Sequence, residues 1–158
     1  MKALWKILPV LLLSCLIYAI AWKILARLSQ ESDMGPQMDV LILNDGSIAR
    51  FVSKVNDSTY MALSQDNFTV SSADARLERW RAADGKGIVY STIFGSWPVK
   101  AEPDDSSKTI ALINYEDGFV PDTYPCLGYR DGWFEISFNS RKGYVSKRDF
   151  EWDAINSF

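Results

Sequence analysis

The stretch that constrains this chain most runs from Trp97 to Trp152, where short alternating runs are cut apart by turn-forming residues. In Trp133–Phe138 the alternation puts Phe134, Ile136 and Phe138 on one face of an extended strand and Trp133, Glu135 and Ser137 on the other. Arg130-Asp131-Gly132 before this run and Ser140-Arg141-Lys142-Gly143 after it read as turns. Short alternating runs separated by turn-rich loops predict a small closed β-barrel over residues 95–158.

Upstream, the chain reads as three further pieces. Residues 29–37 are polar, contain Gly35-Pro36 and read as a short linker. Residues 38–94 read as a β-rich middle segment. Val40–Leu43 and Ile48–Val55 flank Asn44-Asp45-Gly46, a strong hairpin signal, and Asn56-Asp57-Ser58 turns the chain into Thr59–Leu63. That gives a three-stranded antiparallel meander, with Phe68-Thr69-Val70 as a further short strand and Ile88–Phe94 as another.

Ser71–Ala83 predicts one short helix: Ser71 or Ser72 caps it, Asp84-Gly85 ends it, and Leu77 and Trp80 share a face. Arg76, Arg79, Arg81 and Arg50 read as a solvated charged face paired with Asp74 and Glu78. Asp84-Gly85-Lys86-Gly87 lacks the spacing of a phosphate loop and reads as a plain turn.

At the N-terminus, Ile7–Trp22 carries no charge and is flanked by Lys2, Lys6, Lys23 and Arg27. The run approaches the ~17–25 residues that a membrane span needs. Residues 1–28 therefore predict a hydrophobic helix acting as a signal anchor or signal peptide. Trp5 and Trp22 would sit at the two interfaces of an anchor. Ala19-Ile20-Ala21 offers a small-x-small cleavage site, and Leu12-Leu13-Ser14-Cys15 resembles a lipobox with Cys15 as the lipidated residue. All three processing routes stay open. Each addresses the protein to a membrane or to export, and the expected location is membrane-anchored and extracytoplasmic.

Composition narrows the chemistry. The chain has no histidine, which removes Ser-His-Asp and Cys-His catalysis, histidine metal sites and imidazole switching. Net charge is −3 with no long basic run, which argues against nucleic acid as a partner. The acid pairs Asp104-Asp105 and Glu116-Asp117, and Glu151 near Asp153, lie in loops or near the chain end. They offer neither the contrasting environments of an acid–base pair nor the density of a calcium loop. Cys126 reads as a buried small hydrophobe. No catalytic residue, metal site or cofactor is expected.

The order Ala101–Leu112, Asp131-Gly132-Trp133 and Gly143-Tyr144-Val145 resembles that of the bacterial SH3-like domains attached to exported proteins, over roughly residues 97–152. There an early strand is followed by a polar loop, a strand, "turn-Gly-Trp" and "Gly-Tyr-Val". The resemblance implies a mainly β fold with an SH3-like barrel at the C-terminus. It also implies a non-catalytic module directed to the cell wall or to an envelope protein.

Eleven rings crowd this stretch, more than a small barrel interior holds. Some are expected at a groove for peptide or glycan ligands, and Trp133, Tyr124 and Tyr144 are the candidate ligand-binding residues. The competing reading makes the chain a structural or assembly subunit, with each ring packed on the middle segment or the barrel end and Trp152 clamping the C-terminus.

Overall fold

The computed structural model describes residues 17–26, 34–64, 66–117 and 119–155. It divides into two compact units, Met1–Asp33 and Met34–Phe158. In the first unit, residues 17–26 are helical. Ile17, Tyr18, Ile20, Trp22, Ile24 and Leu25 are all exposed. Among the described residues no helix is long and apolar enough to cross a membrane. Most of the anchor expected over residues 1–28, with Trp5 and Cys15, lies outside the described residues, as do 29–33 of the expected linker.

Among its described residues, the second unit is built from twelve strands in two antiparallel sheets. The first sheet holds β1 (Gln37–Leu43), β2 (Ile48–Asn56), β3 (Thr59–Leu63), β4 (Asn67–Ser71) and β5 (Ala75–Arg81), in the order β4-β3-β2-β1-β5. The expected meander is present, and its first turn is made as the sequence predicts. Gly46 takes φ 84°, Leu43 N–H donates to Ser47 O at 2.9 Å, and Asp45 Oδ1 accepts the Ser47 amide at 2.8 Å.

The expected helix over 71–83 is not formed. Ala75–Arg81 is instead β5, paired along its whole length with β1 from Gln37↔Arg81 to Leu43↔Ala75. An isolated helix of this length is marginal, whereas the open edge of β1 offers a full ladder of hydrogen bonds. Strand geometry also separates the two residues that helical spacing would join. Trp80 packs toward the main core and Leu77 is left 44% exposed. A single 3-10 turn, Ala82–Asp84, follows and is closed by Gly85 at φ 67°.

The second sheet holds β6 (Ile88–Ser91), β7 (Gly95–Lys100), β8 (Thr109–Tyr115), β9 (Tyr124–Arg130), β10 (Trp133–Phe138), β11 (Arg141–Ser146) and β12 (Phe150–Asp153). Its order is β12-β6-β9-β10-β11-β7-β8, so it takes its first strand from before residue 95. The described strands form no closed barrel. β6 and β12 prolong the sheet beyond β9, and its other end stops at β8. The turn after β10 falls at Asn139-Ser140, both at positive φ, rather than over Ser140–Gly143.

The main core lies between the sheets. Val89, Val99, Phe134, Ile136, Val145, Phe150 and Trp152 meet Val40, with Met38, Ile48 and Trp80 packed against them. A second cluster, Leu41, Ala49 and Ala62 with Phe51, Tyr60, Phe68 and Val70, comes entirely from the first sheet. Adjacent residues Val40 and Leu41 are both fully buried, so this sheet buries both faces. The bulges between Phe51 and Ser53 and between Lys54 and Asn56 supply the bend that lets it curl over its own side chains.

Candidate functional site

The feature best suited to take a ligand is a shallow groove of about 480 Å³ lined by Asp105, Asp131, Gly132, Trp133, Ser146, Lys147 and Arg148. Three chain segments converge on it. The β7–β8 loop brings Asp105, the β9–β10 turn brings Asp131 and Gly132, and the link from β11 to β12 brings Lys147 and Arg148.

Local sequence fixes each piece. Asp131 at φ 52° and Gly132 at φ 85° form a two-residue hairpin turn, which delivers Trp133 to the first position of β10. The next hairpin, through Asn139-Ser140, sets Trp133 opposite Ser146. Gly132 O then accepts the amide of Lys147 at 2.9 Å, tying the two rims together. Asp105 and Arg148 pair across the mouth at 2.6 Å, both mostly exposed. Asp104 is not part of the groove lining. It accepts the Ser106 hydroxyl and amide, each at 2.7 Å, and these bonds hold its carboxyl below the usual carboxylate range.

Trp133 differs from the other tryptophans of this unit. Trp80 donates its indole N–H to Glu78 at 3.0 Å, Trp97 to Ile93 O at 3.0 Å and Trp152 to Lys86 O at 2.7 Å. The half-buried Trp133 has no indole partner among the described residues. A ring with one apolar face and an unused donor beside charged loops suits a ligand that brings a flat or aliphatic surface and an acceptor.

The three candidate rings do not come together. Tyr144 lies on the same sheet face as Trp133, since Glu135 is opposite Tyr144 and Trp133 opposite Ser146, but it stands outside the groove lining. Burial raises its hydroxyl pKa, with Glu135 and Glu102 adding to the shift. Tyr124 is on the opposite face. The register between β9 and β10 slips at Leu127, with Gly128 opposite Glu135 and Cys126 opposite Ile136, and this bulge flips the alternation. Tyr124 therefore packs its ring on Phe138 at 5.7 Å and donates its hydroxyl to Asp122 at 3.3 Å. Burial pushes that hydroxyl up to about 12.

Lys147 and Arg148 were not singled out from sequence. The signal was the hairpin itself: a two-residue turn at 139–140 places Ser146 opposite Trp133 and so brings the next two residues to the groove. Cys126 is buried, and its thiol lies 3.5 Å from both Ala82 O and Gly128 O. Burial pushes it up to about 11, so it is an inert packing residue. Among the described residues no group of acids and cysteines is arranged to hold a metal ion. No family model, no curated protein and no solved structure matches this chain.

Proposed function

We propose that this protein is a non-catalytic binding module, exported and tethered to a membrane, which captures a peptide or wall-derived ligand in the Trp133 groove. The observation that carries the proposal is the indole of Trp133, half-buried at a loop mouth with its N–H unused. The strand, polar loop and turn-Gly-Trp order over Ala101–Val145 supports an SH3-like character for this part of the second sheet, in an opened-out form. The apolar side chains exposed on helix 17–26 support the tether, because such a surface is disfavoured in water and favoured in lipid. Peptidoglycan or an envelope protein is the proposed ligand, and the body would lie outside the cytoplasm.

Detergent-solubilised full-length protein, sedimented with purified cell wall and with envelope extract, tests the reading. Trp133→Ala is expected to retain its melting temperature within a few degrees and to lose capture by about thirtyfold or more, the scale of an interface hot spot. Trp133→Ala protein that melts far lower, yet binds normally where it remains folded, would show the ring to be structural and the groove reading to be wrong.

A further inference from the structure

We infer that β8 is a docking edge for an extended, basic and apolar segment of a partner protein, which adds to the second sheet as a further strand and sets a Lys or Arg side chain against the acids of the β8–β9 loop. β8 is the last strand in its sheet, paired on one side only, with β7. Pro98 lies opposite Leu112 and has no N–H, so this is a non-hydrogen-bonded pair. The N–H and C=O of Leu112 therefore point away from β7, and those of Asn114 do the same two residues on. Outside the β-ladders, no hydrogen bond among the described residues reaches the backbone of either. The bulge between Val99 and Lys100 leaves Ile110 unpaired and turned inward beside Val99 and Gly143, so the straight part of the edge lies beyond it.

The other sheet edges are guarded. β5 carries Arg76, Glu78, Arg79 and Arg81, and β12 carries Glu151 and Asp153. Charges of this kind keep an edge from taking up another chain. β4 is uncharged but has only five residues, and its Phe68 and Val70 pack into the second cluster. β8 has seven residues with no charge and no proline, and its Leu112 is 58% exposed.

What lies beyond Asn114 decides the occupant. A cavity of about 220 Å³ continues the edge, lined by Asn114, Tyr115, Glu116, Phe119, Val120 and Asp122. This is smaller than the roughly 300–1,000 Å³ of small-molecule sites and suits a single side chain. Its apolar part is uncovered, with Phe119 and Val120 both exposed and Phe94 packed on the Tyr115 ring at 4.8 Å. Glu116, Asp117 and Asp122 are exposed, and none has an ion-pair partner among the described residues. Rings beside unpaired carboxylates match a side chain with an aliphatic stem and a cationic head. In such strand addition the main-chain bonds give affinity and the pocket gives selectivity. An antiparallel occupant places an apolar residue opposite Leu112 and its cation a few residues earlier in its own chain. This edge shares no residue with the Trp133 groove.

The test titrates full-length protein in detergent with two capped synthetic peptides, Lys-Arg-Thr-Val-Thr-Val-Thr and the same peptide with Glu-Asp in place of Lys-Arg, and reads amide exchange by NMR. The basic peptide is expected to bind with a Kd tighter than about 1 mM and to slow exchange at Leu112 and Asn114. Ile113, whose amide faces β7, should change little. The acidic peptide is expected to bind about tenfold more weakly or worse, and Glu116→Lys with Asp122→Lys to reverse the preference. Leu112→Pro removes an outward donor without touching the β7 ladder, so it should abolish binding and keep the fold. If Leu112→Pro melts early, the loop reversals, which lie outside the strand, decide.

No protection at Leu112 and Asn114 up to about 1 mM basic peptide, equal affinity for both peptides, or loop reversals without effect would overturn the inference. So would loss of peptide binding in Trp133→Ala, which would move the peptide to the groove. Protection of Leu112 and Asn114 in the free protein that grows with its concentration would also overturn it, and would make a second copy the occupant.

Discussion

Gly143 illustrates how one atom sets the packing of the second sheet. Its φ is not positive, so no turn conformation is at stake, contrary to what its place in Ser140–Gly143 suggested. A Cβ there would collide with Val99 Cγ1 and come within 3.4 Å of Ile110 Cδ1. Gly143→Ala is expected to lower stability by about 1–3 kcal/mol through overpacking. Val99→Ala in the same chain should recover part of that loss, and a denaturation double-mutant cycle measures the coupling. Additive losses would mean that the contact does not constrain the strand. Tyr124 and Cys126 supply a pH dependence. Both hold their protons to higher pH when folded, to about 12 and about 11, than the ~10 and ~8.5 of the unfolded chain. Their contribution is complete below about pH 8.5 and is lost as pH rises through the folded values. Melting temperature should therefore fall above about pH 9, and Tyr124→Phe, which keeps the ring on Phe138, should fall less steeply above pH 10.

At the scale of elements, β5 is the strand that local propensity assigned wrongly, and its two apolar residues give the means to test the assignment. In a helix Leu77 and Trp80 would share a buried face. In β5 only Trp80 meets the core, with Lys86 Nζ lying 4.9 Å over its ring. Leu77→Thr is expected to change stability by less than about 0.5 kcal/mol, as exposed positions do. Trp80→Ala should cost about 2 kcal/mol or more. Similar losses at both positions, measured by urea unfolding, would favour the helix. The arginines follow the same geometry. Arg79 pairs with Asp39 across the β1–β5 ladder at 2.7 Å on one face of β5, and Arg76 pairs with Glu78 at 2.6 Å on the other, so these charges are matched across and along strands rather than around a helix.

For the β unit of Met34–Phe158, the question is whether two sheets make one cooperative body. The main cluster draws Val40, Met38, Ile48 and Trp80 from the first sheet into a core made chiefly by the second. Arg50 of β2 reaches Asp153 of β12 at 2.6 Å, where the Asp153 side chain is only 8% exposed. Asp153 also accepts the amide of Ile155 at 3.1 Å, which fixes the strand's end. We expect one calorimetric transition for this unit. Asp153→Ala should lower it by about 2 kcal/mol, the scale of a hydrogen bond to a charged group. Two resolved transitions would show that the curled first sheet folds independently.

Sequence alone determined what is local. Alternation in Trp133–Phe138, the Asn44-Asp45-Gly46 and Asp131-Gly132 turns, and the burial of Phe134, Ile136 and Cys126 depend on neighbours within a few residues, and each is where the pattern put it. Trp133 at a loop mouth with Asp131 beside it was legible for the same reason, because a hairpin turn fixes where its strand begins, whereas Asp105 reaches the groove from the distant β7–β8 loop and Asp104 stays out of its lining. Tertiary structure decided what depends on distant partners. Helix or strand at Ala75–Arg81 hung on the unpaired edge of β1, some forty residues earlier. The bulge at Leu127, which carries Tyr124 to the opposite face, is a property of the β9–β10 pairing and leaves no mark in either strand's own alternation. Whether the second sheet closes depends on which strands join its ends. Hydrogen bonding along an edge is nearly indifferent to side-chain identity, so only the assembled chain could place β6 and β12 at one end and leave β8 open at the other.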